Sequence, residues 1–192
     1  MKRIIVALLI VLSAGAALAQ QPTMDIAVMY SALHTNAPVG GCDCFWMNGG
    51  TAEFSVPVWK NLSAVAEVGG QRIGMIPGFD TGLSLLSGMG GLRLRVPNHT
   101  IFQPFAQGLF GGVHGFDGYF PAPVGRYPTS YDTSFAMALG GGVDLNVSKH
   151  LWIRAFQADY HYSEIRNVQG NMQNQFRVSG GVVFRFQHLG SS

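Results

Sequence analysis

Residues 175–186 read Gln-Phe-Arg-Val-Ser-Gly-Gly-Val-Val-Phe-Arg-Phe. The even positions hold Phe176, Val178, Gly180, Val182, Phe184 and Phe186. The odd positions hold Gln175, Arg177, Ser179, Gly181, Val183 and Arg185. An extended chain sends successive side chains to opposite faces, so this stretch predicts a strand with one apolar face. The same period recurs upstream. Phe135, Met137, Leu139, Gly141, Val143, Leu145 and Val147 alternate with Ala136, Ala138, Gly140, Gly142, Asp144 and Asn146. Ala52, Phe54, Val56 and Val58 alternate with Thr51, Glu53, Ser55 and Pro57. Met24, Ile26, Val28, Tyr30 and Ala32 alternate with Asp25, Ala27, Met29 and Ser31.

The second face decides the class. A soluble sandwich turns a face rich in Lys and Glu to water. Here that face carries small residues, glycine and a few isolated charges, which suits a narrow interior filled by side chains. The apolar face then points outward into lipid. The pattern predicts an all-β chain: an eight-stranded antiparallel up-and-down transmembrane β-barrel. Its strands run roughly over 23–34, 50–59, 62–73, 82–96, 101–114, 134–147, 150–163 and 175–186. Short connections at Lys60-Asn61, Pro97 to Thr100 and Ser148-Lys149 alternate with longer ones at 35–49, 74–81, 115–133 and 164–174. That asymmetry predicts short periplasmic turns, longer external loops and both termini on the periplasmic side.

Composition narrows the function classes. Charged residues are 11% of the 192, against roughly 25% in a typical soluble domain. The hydrophobic share is 47%. Low charge with an ordinary apolar content excludes disorder. Residues 1–19 read as a secretory leader: Lys2 and Arg3, an apolar run from Ile4 to Leu12, and Ala17-Leu18-Ala19 before the cleavage point. The expected domains are therefore a signal peptide at 1–19 and a barrel at 20–192. No apolar run of ~18 residues follows the leader, which excludes a helical span. Without Lys2 and Arg3, ten basic residues face ten acidic ones, so no basic nucleic-acid footprint is present.

Several stretches resemble the small single-domain OmpA-like outer-membrane β-barrel proteins. They are Gly-Leu-Arg-Leu-Arg at 91–95, Pro-Phe-Ala-Gln-Gly-Leu-Phe-Gly-Gly at 104–112, Gly-Gly-Gly-Val-Asp at 140–144 and Gln-Ala-Asp-Tyr at 157–160. The terminal strand, with Phe184 and Phe186, resembles the signal read by the barrel assembly machinery. Six residues follow Phe186, where the family usually ends at its last aromatic. The resemblance implies a bacterial outer-membrane location, outer-membrane lipid as surroundings and the assembly machinery as a transient partner. The peptidoglycan-binding domain of larger relatives has no counterpart here.

The inward faces nominate a charge network. Asp25, Glu53, Glu67 and Asp144 are acidic; Arg93, Arg95, Arg177 and Arg185 are basic. Glu53 and Glu67 flank the Lys60-Asn61 turn almost symmetrically, so they are expected side by side across the hairpin. Adjacent buried carboxylates need a cation, which Arg93 or Arg95 would supply. Asp25 and Arg185 are expected to meet where the first and last strands close. This network reads as a structural plug; the alternative is a gated pore for small solutes. Arg154 and Asp159 have opposite parity in one strand, which requires a bulge or an outward charge near the rim.

Other candidates are peripheral. Phe116, Tyr119, Phe120, Tyr127 and Tyr131 make the third long loop a candidate contact surface. Trp59 and Trp152 adjoin short turns, and Trp46 lies in the first long loop; all three are expected as membrane-interface anchors. His161-Tyr162-Ser163 resembles the His-x-Ser of barrel-type lipid A deacylases, but Gln173, Asn174 and Gln175 stand where the orienting acid belongs. Cys42-Asp43-Cys44 near His34 lacks the spacing of a zinc site; a local disulfide is the alternative. The reading is a monomeric outer-membrane barrel with a structural or surface-interaction role and no catalytic residues, cofactor, metal or nucleic-acid partner. A soluble lipocalin-like binder is the remaining alternative.

Overall fold

Each period-two stretch forms a strand, and the strands close on themselves. The computed structural model describes residues 24–35, 44–77, 80–97, 100–120, 127–166 and 172–186. The proposed leader, Cys42, Asp43 and the tail after Phe186 lie outside the described residues. The strands are β1 (Met24–Thr35), β2 (Phe45–Trp59), β3 (Leu62–Ile73), β4 (Leu83–Arg95), β5 (Phe102–Phe116), β6 (Asp132–Asn146), β7 (Leu151–Ser163) and β8 (Gln173–Phe186). Every sequential pair is antiparallel, and β8 pairs with β1 from Met24 opposite Phe186 to His34 opposite Phe176. The result is a closed eight-stranded barrel, which leaves no sheet edge unpaired.

Several strands run further than the sequence predicts, always at the long-loop end. β2 begins at Phe45, β5 continues to Phe116, β6 begins at Asp132 and β8 at Gln173. Trp46 and Phe116, expected in loops, are therefore strand residues. The ladder needs only backbone partners, so it outlasts the apolar alternation that marks the strand in sequence. At the opposite end the β2–β3 hairpin turns in two residues, with Lys60 at a φ of 24°.

Burial follows parity along the strands, with one break in β7. On β1, Met24, Ile26, Val28 and Tyr30 are exposed, while Asp25, Ala27, Met29 and Ser31 are buried. Apolar outside with polar inside inverts the order of a water-soluble domain and is the order of a barrel in hydrocarbon. Toward the long loops, outward tyrosines clamp the neighbouring strand: Tyr30 Oη donates to Asn48 Oδ1 at 2.7 Å, and Tyr160 Oη donates to Asn174.

The interior has two storeys. Toward the long loops Leu33, Met47, Leu85, Met89, Leu109 and Val113 form an apolar plug. Through the middle and toward the short turns the filling is charged. Inward glycines make room for it: a Cβ at Gly140 would strike the Ala158 carbonyl oxygen and the Asp159 carboxylate, whereas one at outward Gly88 would meet nothing within 4 Å. Strongly curved strands crowd their inner faces, so glycine is a steric requirement there.

Candidate functional site

β7 decides the composition of the lumen. The ladders skip at Val143/Asp144 against β6 and at Arg154/Gln157 against β8. This bulge leaves Ala155 and Phe156 both exposed. It changes parity within one strand, so Arg154 and Asp159 both turn inward and are essentially without solvent contact. Ten charges therefore meet in the lumen: Asp25, Glu53, Glu67, Asp144 and Asp159 against Arg93, Arg95, Arg154, Arg177 and Arg185. The sequence reading nominated eight of them. Arg154 and Asp159 were legible as a parity conflict only, because the other eight already balanced.

Glu53 and Glu67 stand directly opposite each other on β2 and β3. Their cations come from different directions. Glu53 is held by Arg93 from β4 and by Arg154 Nη1 at 2.5 Å. Glu67 receives both terminal nitrogens of Arg177, each at 2.7 Å, from β8 across the lumen. Arg177 also donates from Nη2 to Asp159 Oδ2 at 2.8 Å. Arg95, a nominated partner for the glutamates, instead donates to Asp25 Oδ2 at 2.6 Å. It points toward the short-turn mouth, two residues beyond Arg93 on the same face. Arg185 Nε donates to the other Asp25 oxygen at 2.9 Å, across the β1–β8 closure. Arg154 grips Asp144 through Nε at 2.7 Å and Nη2 at 3.2 Å.

Two glutamines join these pairs. Gln157 accepts from Arg154 Nη1 at 2.7 Å and donates to Asp159 Oδ2 at 2.8 Å. Gln107 accepts from Arg93 Nε at 3.0 Å. Nothing in the strand alternation distinguished these amides from other inward polar residues. The Phe105 ring lies under the guanidinium groups of both Arg93 and Arg154, at 4.4 and 4.5 Å. Its quadrupole face attracts the cations. Opposite charges in equal number, each ion held by at least one hydrogen-bonded partner although Arg95 Nε itself has none, are the condition under which buried ions are tolerated.

The remaining candidates separate. Trp152 is corrected as an interface anchor: it is 5% exposed and faces the lumen, with Arg185 over its ring at 3.9 Å. It shares the parity of Arg154 ahead of the bulge, so it turns inward with it. Trp46 faces outward against the His34 ring at 4.8 Å, and Trp59 is exposed at the end of β2. Phe184 and Phe186 are outward on β8, opposite Ile26 and Met24. Phe120 is also corrected. It is 4% exposed and joins the apolar plug, and a backbone bridge pairs it with Thr129. Phe116, Tyr119, Tyr127 and Tyr131 remain exposed, Tyr127 at 92%.

His161 and Ser163 are buried in the lumen, opposite Gln175 and Gln173. His161 Nε2 and Ser163 Oγ have no hydrogen-bond partner, so neither reaches the other. A nucleophile needs contact with its base, and this pair lacks it. Cys44 precedes β2 and is half-buried.

No family model matches the chain, and no curated protein matches it. Solved structures do. Neisserial surface protein A has 14% identity and a TM-score of 0.63, with 85% of this chain and 97% of that one covered. Ail, the attachment invasion locus protein of Yersinia pestis, has 16% identity and a TM-score of 0.58, over 87% of this chain and 100% of that one. The outer membrane protein OprG from Pseudomonas aeruginosa has 11% identity and a TM-score of 0.50, over 87% and 97%. The architecture of this chain, a closed antiparallel barrel of eight strands, is thus the architecture of small outer-membrane proteins.

Proposed function

We propose that the protein is a bacterial outer-membrane barrel whose lumen is a structural plug and whose long-loop end is its contact surface. The observation that carries this reading is the filled lumen. Ten paired charges occupy its short-turn and middle part, and toward the long loops an apolar cluster shares the interior with buried polar side chains such as Gln71, His161 and Gln175. Eight strands leave an interior just wide enough for side chains, and here side chains take it. The exposed aromatics Tyr119, Tyr127 and Tyr131 are concentrated at the other available surface. Residues 1–19 would be removed on export, β8 with Phe184 and Phe186 would be read by the assembly machinery, and the mature barrel would work as a monomer among lipids. Trp46 and Trp59 would anchor it at the two interfaces.

The kind of partner is constrained by charge. Ail was crystallised with a heparin analogue, sucrose octasulfate. In the present chain Arg72 and Arg166 face Asp80, Asp117, Asp132 and Glu164 among the described residues of the long-loop end. That end does not attract a sulfated polyanion. Catalysis is not part of the proposal, since His161 and Ser163 are enclosed and unpaired with each other.

Planar-bilayer recording on purified protein tests the plug. The expected trace is flat, or shows only brief small events. A steady, large conductance would establish the small-solute pore in its place.

A further inference from the structure

A cleft of about 590 Å3 opens at the long-loop rim where β6 and β7 end. This volume falls within the roughly 300–1,000 Å3 of small-molecule sites. Its lining includes outward Phe135 and Tyr162 together with Asp132, Thr133, Glu164 and Arg166. The polar groups are already positioned. The Arg166 backbone N–H donates to Asp132 Oδ2 at 2.8 Å, and the Arg166 side chain lies 3.5 Å from Oδ1 of the same carboxylate. Tyr162 Oη donates to Glu164 Oε1 at 3.4 Å, and the Glu164 N–H is fixed to the Phe135 carbonyl oxygen at 3.1 Å. Asp132 is buried, whereas Glu164 and Arg166 are exposed at the opening.

We infer that this cleft is a binding site for a neutral or amino-substituted sugar. Two aromatic rings offer the apolar C–H face of a pyranose a surface to rest on. Carboxylates and a guanidinium, held in place beforehand, are matched acceptors and donors for vicinal hydroxyl groups. Charge sets the class: one cation against two carboxylates leaves Glu164 without a cationic partner in the cleft, which favours hydroxyl or ammonium donors and disfavours phosphate or sulfate. With the long loops outside the cell, the cleft would lie at the level of outer-leaflet headgroups. A glycolipid headgroup and a free glycan present the same chemistry to it. The inference rests on the long-loop end being the contact surface; it does not depend on the lumen being sealed.

The test uses isotope-labelled full-length mature protein in detergent. The probes are a deacylated and dephosphorylated lipopolysaccharide oligosaccharide, the intact lipopolysaccharide and sucrose octasulfate. Binding of the free oligosaccharide should shift the backbone amides of residues 133–135 and 162–166, and Glu164→Gln should weaken it at least tenfold. Tyr162→Ala should weaken it as well. Both side chains are on the outer surface, and a retained mobility shift on boiling shows that each variant is folded. Binding of intact lipopolysaccharide without binding of the free oligosaccharide would place recognition in the acyl chains or phosphates and overturn the inference. Preference for sucrose octasulfate, or shifts confined to other amides, would overturn it too. A conducting lumen in the bilayer experiment would leave this result unaffected, so the two readings fail separately.

Discussion

Arg177 shows what a single residue does in this lumen. It crosses from β8 to Glu67 on β3 and holds Asp159 with the same guanidinium. The planar fork suits this bidentate arrangement, which a lysine would not reproduce. Removing it would leave two carboxylates buried against each other. Breaking a buried ion pair by deleting one partner costs about 3–5 kcal/mol. Arg177→Ala should therefore lower stability by about that amount in urea unfolding followed by the heat-sensitive gel shift. A loss below about 1 kcal/mol would mean that water reaches the network and screens it. The choice of residue is just as strict at inward glycines. Gly140 gives its Cβ space to Asp159 and to the neighbouring strand, while Gly88, on the lipid face, is under no such constraint.

At the level of elements, β7 carries the decisive irregularity. A period-two strand cannot present Trp152, Arg154, Asp159 and His161 to one side without an extra residue. The bulge at Ala155 and Phe156 supplies it, and both of those residues face outward. Deleting Phe156 would remove the extra residue and leave Ala155 alone between Arg154 and Gln157, so that strict alternation keeps Arg154, Gln157 and Asp159 all inward. An arginine at the bilayer midplane costs about 2–4 kcal/mol, and this deletion does not impose that cost. The deletion variant should therefore keep the folded, fast-migrating band, as should Phe156→Leu. Loss of the band in the deletion variant alone would show that the bulge does more than set parity. The Phe120–Thr129 bridge is a second element-scale device: Phe120 is buried there, while Tyr119 and Tyr127 are exposed.

Across the whole molecule, charge is sorted by position. Ten charges fill the lumen in equal numbers of each sign. After Lys2 the only lysines are Lys60 and Lys149, each at a short turn. The described long-loop end carries Asp80, Asp117, Asp132 and Glu164 against Arg72 and Arg166. If the short turns are periplasmic, a membrane-impermeant amine reagent should leave the protein unmodified on intact cells and label it once the outer membrane is permeabilised. Labelling of intact cells would reverse the orientation. This sorting also accounts for the low charge content: one face of every strand meets hydrocarbon, and the other meets a lumen that admits ions only in pairs.

The sequence by itself determined the class and the strand count, because alternation is a local property that survives in any tertiary setting. It also placed Glu53 near Glu67, because the two flank the Lys60-Asn61 turn almost symmetrically; the bulge between Pro57 and Trp59 then sets them directly opposite. It did not assign the partners of those glutamates. Arg177 reaches Glu67 from β8, 110 residues along the chain, and only closure of the barrel brings them together. Nor did alternation place Trp152, Arg154 and Phe120, because a bulge in β7 and a bridge between Phe120 and Thr129 each override the parity or polarity that sequence position suggests. Local periodicity decided which residues point inward along regular strands. Curvature, closure and the bulge decided which of them meet, because contacts across a lumen depend on shear and strand tilt that no single strand encodes.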